Sequence, residues 1–259
     1  MKMRSGGSSG EDRISSLPCD LLQKILGCLS LDDADLKHLE LNSCKFYPPP
    51  NFKGFRSLVT FNFQVVTFEP MSFQVLLSSS PLLEHVLMVC CSEFDSFIIE
   101  APNLKIFEFS GRANSLCFRR TPLLEEIVLG MPFNMLEVDW VAYVLDLINR
   151  CPNIERLLIT SDAFEACACA CACTHPLRSK EMTMTHSAMK RLKSVDMTLL
   201  YWVNKTETEF LKHVMAYATA LEKIYIATSV DIRHRGMKMM EEMKQFPRAS
   251  PNVEFIYHS

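Results

Sequence analysis

The sequence lacks the features that mark several classes of protein. No apolar run approaches the roughly 18 residues of a membrane-spanning helix, and the first ten residues hold glycines and serines rather than the apolar segment of a secretory signal. The formal net charge is −3, from 27 basic and 30 acidic residues. This balance gives no electrostatic case for binding nucleic acid or an anionic membrane. We therefore expect a protein of the cytoplasm or nucleus that contacts neither.

Signatures of catalysis and of disulfide bonding are also missing. The chain contains no glycine-rich phosphate loop and no His-x-x-x-His pair, which are common marks of phosphate and metal chemistry. Its eleven cysteines are an odd number, and without a secretory route they favour reduced thiols over a disulfide framework. We predict a non-catalytic protein that needs no cofactor.

A short sequence motif, which we call the phrase, recurs along the chain. It consists of one apolar residue followed by two further apolar residues, at the third and fifth positions after the first. The copy SPLLEHVLMV supplies Leu83, Val86 and Met88, and the next two copies start at Leu104 and Leu124, after 21 and 20 residues. Later spacings reach 38 residues. Eight copies and a partial ninth, PNVEFIY, are present, the eight starting at Leu36, Leu58, Leu83, Leu104, Leu124, Ile154, Leu192 and Leu221.

Repetition with this period predicts a solenoid whose unit is one strand plus a return segment. Such a unit cannot bury its apolar face alone and must stack on its neighbours. Alternation puts Val86 and Met88 on one face of the strand and Leu87 on the other. Between the strands, apolar residues at helical spacing predict return helices near 71–80, 140–150 and 207–220, and a methionine-rich helix at 235–246 whose methionines are core. The predicted fold is α/β, an irregular solenoid with a curved parallel sheet and outer helices.

A separate amphipathic helix is predicted before the first repeat. Leu17, Leu21, Leu22, Ile25, Leu26 and Leu29 recur at helical intervals, and Pro18 stands where a helix can begin. A helix of about a dozen residues is marginal alone, so it needs a partner within or outside the chain.

This helix carries a resemblance. The pattern Ile14-x-x-Leu17-Pro18-x-x-Leu21-Leu22-x-x-Ile25-Leu26-x-x-Leu29 resembles the opening of an F-box, and with the repeats the whole chain resembles the plant F-box/FBD/leucine-rich-repeat family. The resemblance implies a substrate-recognition subunit of a cullin-RING (SCF-type) ubiquitin ligase, acting in ubiquitin-dependent degradation. Its implied partners are a Skp-type adaptor, a cullin scaffold and an unknown protein substrate. The implied adaptor-binding residues are Leu17, Pro18, Leu21, Leu22, Ile25 and Leu26.

The sequence departs from a full F-box after this helix. It passes from residues 31–34 directly into the first repeat, without the second and third helices and the Ser-Arg-x-Trp-type end of that module. The alternative is therefore a leucine-rich-repeat protein-interaction module with a non-functional F-box remnant, in which the helix only caps the first repeat.

Composition predicts five segments: a flexible leader at 1–11, a partial F-box at 12–34, leucine-rich repeats at 35–162, a low-complexity insertion at 163–186 and FBD-like C-terminal repeats at 187–259. The insertion contains Cys167, Cys169, Cys171, Cys173 and His175. Thiolates and an imidazole can ligate zinc or copper(I), but sulfurs alternating along one strand are not brought together. We favour a low-complexity tract and predict no metal site.

Overall fold

The computed structural model describes residues 36–46, 54–68, 72–91, 97–111, 116–130, 140–160, 188–199 and 205–258. The predicted leader, the partial F-box with its six adaptor-binding residues, and the low-complexity insertion with its cysteine tract lie outside these residues, so those predictions stay predictions.

The described elements alternate between strands and return segments. The strands are β1 (His38–Asn42), β2 (Lys45–Phe46), β3 (Thr60–Gln64), β4 (Thr67–Phe68), β5 (His85–Val89), β6 (Phe97–Glu100), β7 (Ile106–Ser110), β8 (Leu116–Arg119), β9 (Glu126–Gly130), β10 (Arg156–Thr160), β11 (Ser194–Leu199), β12 (Lys223–Thr228) and β13 (Glu254–His258). The helices are α1 (Ser72–Ser78), α2 (Trp140–Arg150), α3 (Lys205–Tyr217) and α4 (Arg233–Met243). Among the described helices, none is long and apolar enough to cross a bilayer.

Nine strands form one parallel sheet, in the order β1-β3-β5-β7-β9-β10-β11-β12-β13. Each strand carries one copy of the phrase, so the pairing stays in register along the whole sheet. The register survives the longest gap, between β10 and β11, where Arg156 aligns with Ser194. The insertion predicted at 163–186 therefore leaves the sheet intact, and the predicted parallel sheet is confirmed.

The apolar residues of the phrase form the core. Val86 and Met88 are both 0 % exposed, and one buried cluster extends from Leu39 to Val253. Burial of a full-sized aliphatic side chain contributes about 1.5–3 kcal/mol, which explains why every repeat supplies such residues. Met239, Met240 and Met243 of α4 are also buried, as predicted, whereas Met237 is exposed.

The layer opposite the sheet contains short strands as well as helices. Two pairs of short parallel strands, β2 with β4 and β6 with β8, lie in return segments for which no helix was predicted. Phe97 and Ile99 on β6 alternate with half-exposed neighbours, the period of a strand rather than of a helix. Helix α4 begins at Arg233 and ends at Met243, so the predicted bounds of 235–246 were late at both ends.

Phenylalanines link the first repeats across this core. The rings of Phe63, Phe68, Phe73, Phe97 and Phe109 follow one another with centroid separations of 5.4, 5.5, 5.2 and 5.6 Å. Each pair is near the edge-to-face geometry that aromatic quadrupoles prefer, worth about 0.5–1.5 kcal/mol beyond the buried area. The five rings come from three successive repeats and from both layers, so they connect these repeats through the core.

Asparagine side chains lock consecutive turns together. Asn103 donates from Nδ2 to the carbonyl of Pro81 at 2.8 Å, and Asn153 donates to the carbonyl of Pro122 at 2.7 Å. Both asparagines follow a proline and precede the anchor residue of a repeat. The Pro-Asn pair thus ties each of these turns to the turn of the preceding repeat.

Candidate functional site

One face of the nine-stranded sheet points away from the core, and we call it the open face. It is formed by the first, third and fifth residue of each strand, because alternate side chains of a strand point to opposite sides. In-register pairing arranges these residues as three rows that cross all nine strands. The middle row consists of Glu40, Asn62, Leu87, Glu108, Val128, Leu158, Asp196, Tyr225 and Ile256.

The middle row is apolar toward the C-terminal end of the sheet. Val128, Leu158, Tyr225 and Ile256 are all partly exposed, and they come from β9, β10, β12 and β13. Asp196 on β11 is the single charged residue between them. The row is thus apolar on both sides of a single carboxylate, which makes it a candidate binding surface.

Two acid–base contacts lie on the open face: an ion pair of Arg156 with Glu126, and a contact of His85 with Glu108 that is an ion pair only when the histidine is protonated. Arg156 Nη1 is 2.8 Å from Glu126 Oε2, and His85 Nε2 is 2.7 Å from Glu108 Oε1. Arg156 is 55 % exposed whereas Glu126 is 17 % exposed, so the guanidinium covers its partner from solvent. Pairs of this kind contribute about 0–1 kcal/mol to stability, and their main effect here is to fix the pattern of charge.

Asp196 is electrostatically unlike the other acidic residues of the open face. Its Oδ1 is covered by neighbouring atoms and has no hydrogen-bond partner among the described residues. Desolvation raises the pKa of Asp196, with Arg156 opposing the shift and Glu126 adding to it. A carboxylate oxygen that has lost water without gaining a donor is a costly feature, which a cation bound to the carboxylate would offset.

The rim of the sheet carries a second set of charges. Glu155, just before β10, accepts hydrogen bonds from Lys193 at 2.6 Å and Arg191 at 3.2 Å. These hydrogen bonds, that of Lys193 first, lower the pKa of Glu155. On the other half of the sheet Glu84 pairs with Lys105 at 2.9 Å. The rim charges are therefore paired between neighbouring repeats, in contrast to Asp196.

The described residues supply no evident centre for catalysis or metal binding. No group of three or more His, Cys, Asp or Glu within them could hold a metal ion. Burial raises the pKa of Cys91 to about 11 and that of Cys151 to about 12. Thiols with such pKa values are poor nucleophiles at neutral pH.

The sequence predicted a recognition surface but not its residues. Asp196 stands between the buried Val195 and Met197, in a position that the repeat phrase leaves unspecified. Aligning the nine copies on their apolar residues would have identified the three rows, because the register follows the phrase without slips. No sequence signal indicates that Asp196 Oδ1 lacks a hydrogen-bond partner among the described residues, because this depends on the ion pair that Arg156 forms with Glu126.

Comparison with known proteins gives two matches. The family model described as "FBD-associated F-box protein At5g56370, LRR repeats" matches residues 12–144, slightly more than half of the chain. The Arabidopsis thaliana protein "F-box/FBD/LRR-repeat protein At1g13570" is 22 % identical over 294 residues, covering 90 % of this chain and 68 % of that protein. The second match extends the similarity to the C-terminal repeats. With the repeat phrase and the parallel solenoid, these matches show that the chain belongs to the plant F-box/FBD/leucine-rich-repeat family.

Proposed function

We propose that this protein is the substrate-recognition subunit of a cullin-RING (SCF-type) ubiquitin ligase. In this proposal the partial F-box at 12–34 binds a Skp-type adaptor, which links the chain to the cullin scaffold, and the open face binds the protein substrate. One observation carries the proposal: the family model described as the LRR repeats of an FBD-associated F-box protein matches from residue 12 to residue 144. The segment predicted as a partial F-box therefore lies within the matched region.

The proposed role is non-catalytic. The chain would hold substrate lysines close to a ubiquitin donor carried by the ligase, and its contribution to rate would be proximity and orientation. The open face suits this task because its middle row combines apolar and charged side chains on a rigid sheet. The proposed location is the cytoplasm or the nucleus.

The adaptor contact would rest on the apolar face of the N-terminal helix. Leu17, Pro18, Leu21, Leu22, Ile25 and Leu26 are the proposed contact residues. Each fully buried leucine or isoleucine contributes about 1.5–3 kcal/mol, and an aspartate placed there would also have to be desolvated. One such substitution should weaken binding by at least about 2 kcal/mol, roughly 30-fold in Kd.

The test is direct binding of the purified chain to a purified Skp-type adaptor by isothermal titration calorimetry. Ile25→Asp should weaken binding at least about 30-fold, and Leu21→Asp with Ile25→Asp should abolish it. Gln23→Asp is the matched control, because it adds the same charge at a polar position of the same helix and should bind like wild type.

The outcome separates the two interpretations of the N-terminal helix. Circular dichroism first establishes that each protein is folded. A folded wild-type chain that does not bind the adaptor would refute the ligase role and leave a leucine-rich-repeat interaction protein with an F-box remnant. Equal weakening by Gln23→Asp and Ile25→Asp would refute the proposed contact face.

A further inference from the structure

We propose that the open face from β9 to β13 binds an extended segment of the partner protein that places a lysine or arginine against Asp196, with apolar side chains on both sides. This inference names the chemistry of the partner, and it rests on the proposed function only in taking the open face as the substrate-binding surface. It is carried by charge complementarity and by the order of side chains along the middle row.

The first step is the state of the Asp196 carboxylate. Its Oδ1 is covered and has no hydrogen-bond partner among the described residues, while the residue as a whole remains partly exposed. An acceptor in this condition gains when a donor from another molecule reaches the carboxylate. A cationic donor gains most, since hydrogen bonds to charged groups are about twice as strong as neutral ones.

The second step is that the nearest cation is already engaged. Arg156 lies close enough to favour the charged form of Asp196, but its guanidinium is 2.8 Å from Glu126. Arg156 therefore forms its ion pair with Glu126, and among the described residues no ion pair joins it to Asp196. On the other side, β12 offers Tyr225 in register with Asp196 and the exposed Lys223 two residues before it. Neither is recorded as a hydrogen-bond donor to Asp196.

The third step is the spacing of the apolar neighbours. Adjacent strands are about 4.8 Å apart, so Leu158 and Tyr225 stand one spacing from Asp196, and Val128 and Ile256 stand about 10 Å away. Residues i and i+2 of an extended segment are about 6.8 Å apart. A segment that crosses the strands with its cation over Asp196 would therefore place apolar residues two positions away over this row.

The chemistry of the site disfavours other occupants. An acidic or phosphorylated segment would meet Asp196 and Glu126, and like charges brought together without water repel. A wholly apolar segment would bury the carboxylate of Asp196 without a donor, which costs more than leaving it exposed. A basic residue flanked by apolar ones satisfies the charge and the apolar row together.

The test is selection of binding peptides from a displayed library of random linear ten-residue peptides on the immobilised full chain. Four proteins are compared: wild type, Asp196→Asn, Glu40→Gln and Arg156→Gln. Glu40→Gln is the matched control, because Glu40 is an exposed carboxylate of the same middle row at the opposite end of the sheet. Asp196→Asn keeps the shape of the side chain and removes its charge.

Wild type and Glu40→Gln should enrich peptides with one lysine or arginine and apolar residues within two positions of it. Asp196→Asn should bind the enriched peptides about 10-fold or more weakly, the size of one lost charge-assisted hydrogen bond. Arg156→Gln should bind them several-fold more tightly, because it frees Glu126 to attract the same cation. A general loss of structure could not produce these opposite effects.

Several outcomes would overturn the inference: no enrichment of any peptide, enrichment of acidic or purely apolar peptides, equal binding by Asp196→Asn, or weaker binding by Arg156→Gln. Adaptor binding is measured on the same preparations. Peptide selection without adaptor binding would sink the ligase role and support the basic-segment site. Adaptor binding without peptide selection would support the ligase role and overturn the site.

Discussion

Gly236 is a buried residue of α4 that packs against β12 and β13, and its replacement by alanine tests the packing of the C-terminal repeats. A β-carbon at this position would lie 2.7 Å from Thr228 Cγ2 and 2.9 Å from Tyr257 Cε2. Carbon atoms pack best at about 3.5–4.0 Å, so the helix or these two side chains would have to move. Thr228 is buried on β12, which leaves little room for movement.

Two opposing effects decide the sign of the change. Alanine is favoured over glycine in a helix interior by about 1 kcal/mol. Overpacking a filled site costs about 1–3 kcal/mol. Movement of Tyr257 would also disturb the hydrogen bonds of its hydroxyl, which lies 2.5 Å from Thr228 Oγ1 and 3.2 Å from the carbonyl oxygen of Arg233. We therefore expect Gly236→Ala to lower the free energy of unfolding by about 1–2 kcal/mol.

Urea unfolding followed by circular dichroism measures this change. Met237→Ala is the control at the next position of α4, where the side chain is 51 % exposed and should contribute little. Thr228→Ser removes the methyl group that a new β-carbon would strike and keeps the hydroxyl that faces Tyr257. In the double variant with Gly236→Ala, it should recover about 1 kcal/mol relative to the sum of the single changes. A Gly236→Ala protein about 1 kcal/mol more stable than wild type, or strictly additive changes, would refute the packing argument.

Two further predictions concern titratable groups. The pKa of Asp196 is raised in the folded chain, so folding is favoured when this carboxyl is protonated. This contribution to stability is lost as the pH rises from 3.8, the ordinary pKa of the group, through the raised pKa. Asp196→Asn should therefore gain in urea midpoint over wild type as pH rises through this window, and a difference that is constant or shrinks would contradict the raised pKa. Cys91 and Cys151, with pKa values of about 11 and 12, should resist alkylation by iodoacetamide at pH 8 in the folded chain and react after denaturation, as followed by mass spectrometry; fast labelling of the folded protein would show that these thiols are not buried as described.

The sheet was predictable because burial constrains the sequence directly. Every strand of the nine-stranded sheet needs apolar residues at the same three positions of its repeat, as at Leu104, Phe107 and Phe109, which are at most 6 % exposed. The same constraint fixes the register, since a slip of one residue would turn the apolar side chains to solvent. The opposite layer obeys no such rule. Its segments vary in length, so β6 and β8 could be replaced by a helix in another repeat without altering the sheet.

The open face was not predictable in detail because packing does not select its residues. A strand tolerates Glu108, Val128 or Asp196 at the middle position equally well, provided that its buried neighbours are apolar. What distinguishes Asp196 is a relation among three strands, in which Glu126 engages the arginine that could otherwise serve Asp196. Such relations arise only after the register has brought distant residues together.

This separation of core from surface has a consequence for the proposed function. In a solenoid the residues that hold the repeats together and the residues that meet a partner alternate along the same strands, so the open face can change without loss of the fold. The adaptor contact is assigned to the N-terminal helix, far along the chain from β9 to β13. Leu21→Asp with Ile25→Asp should therefore abolish recruitment to the ligase while basic peptides still bind, and Asp196→Asn should weaken peptide binding while recruitment is unchanged. A protein in which either change removed both activities would need the helix and the sheet to act as one site, and this outcome would contradict the separation of the two roles.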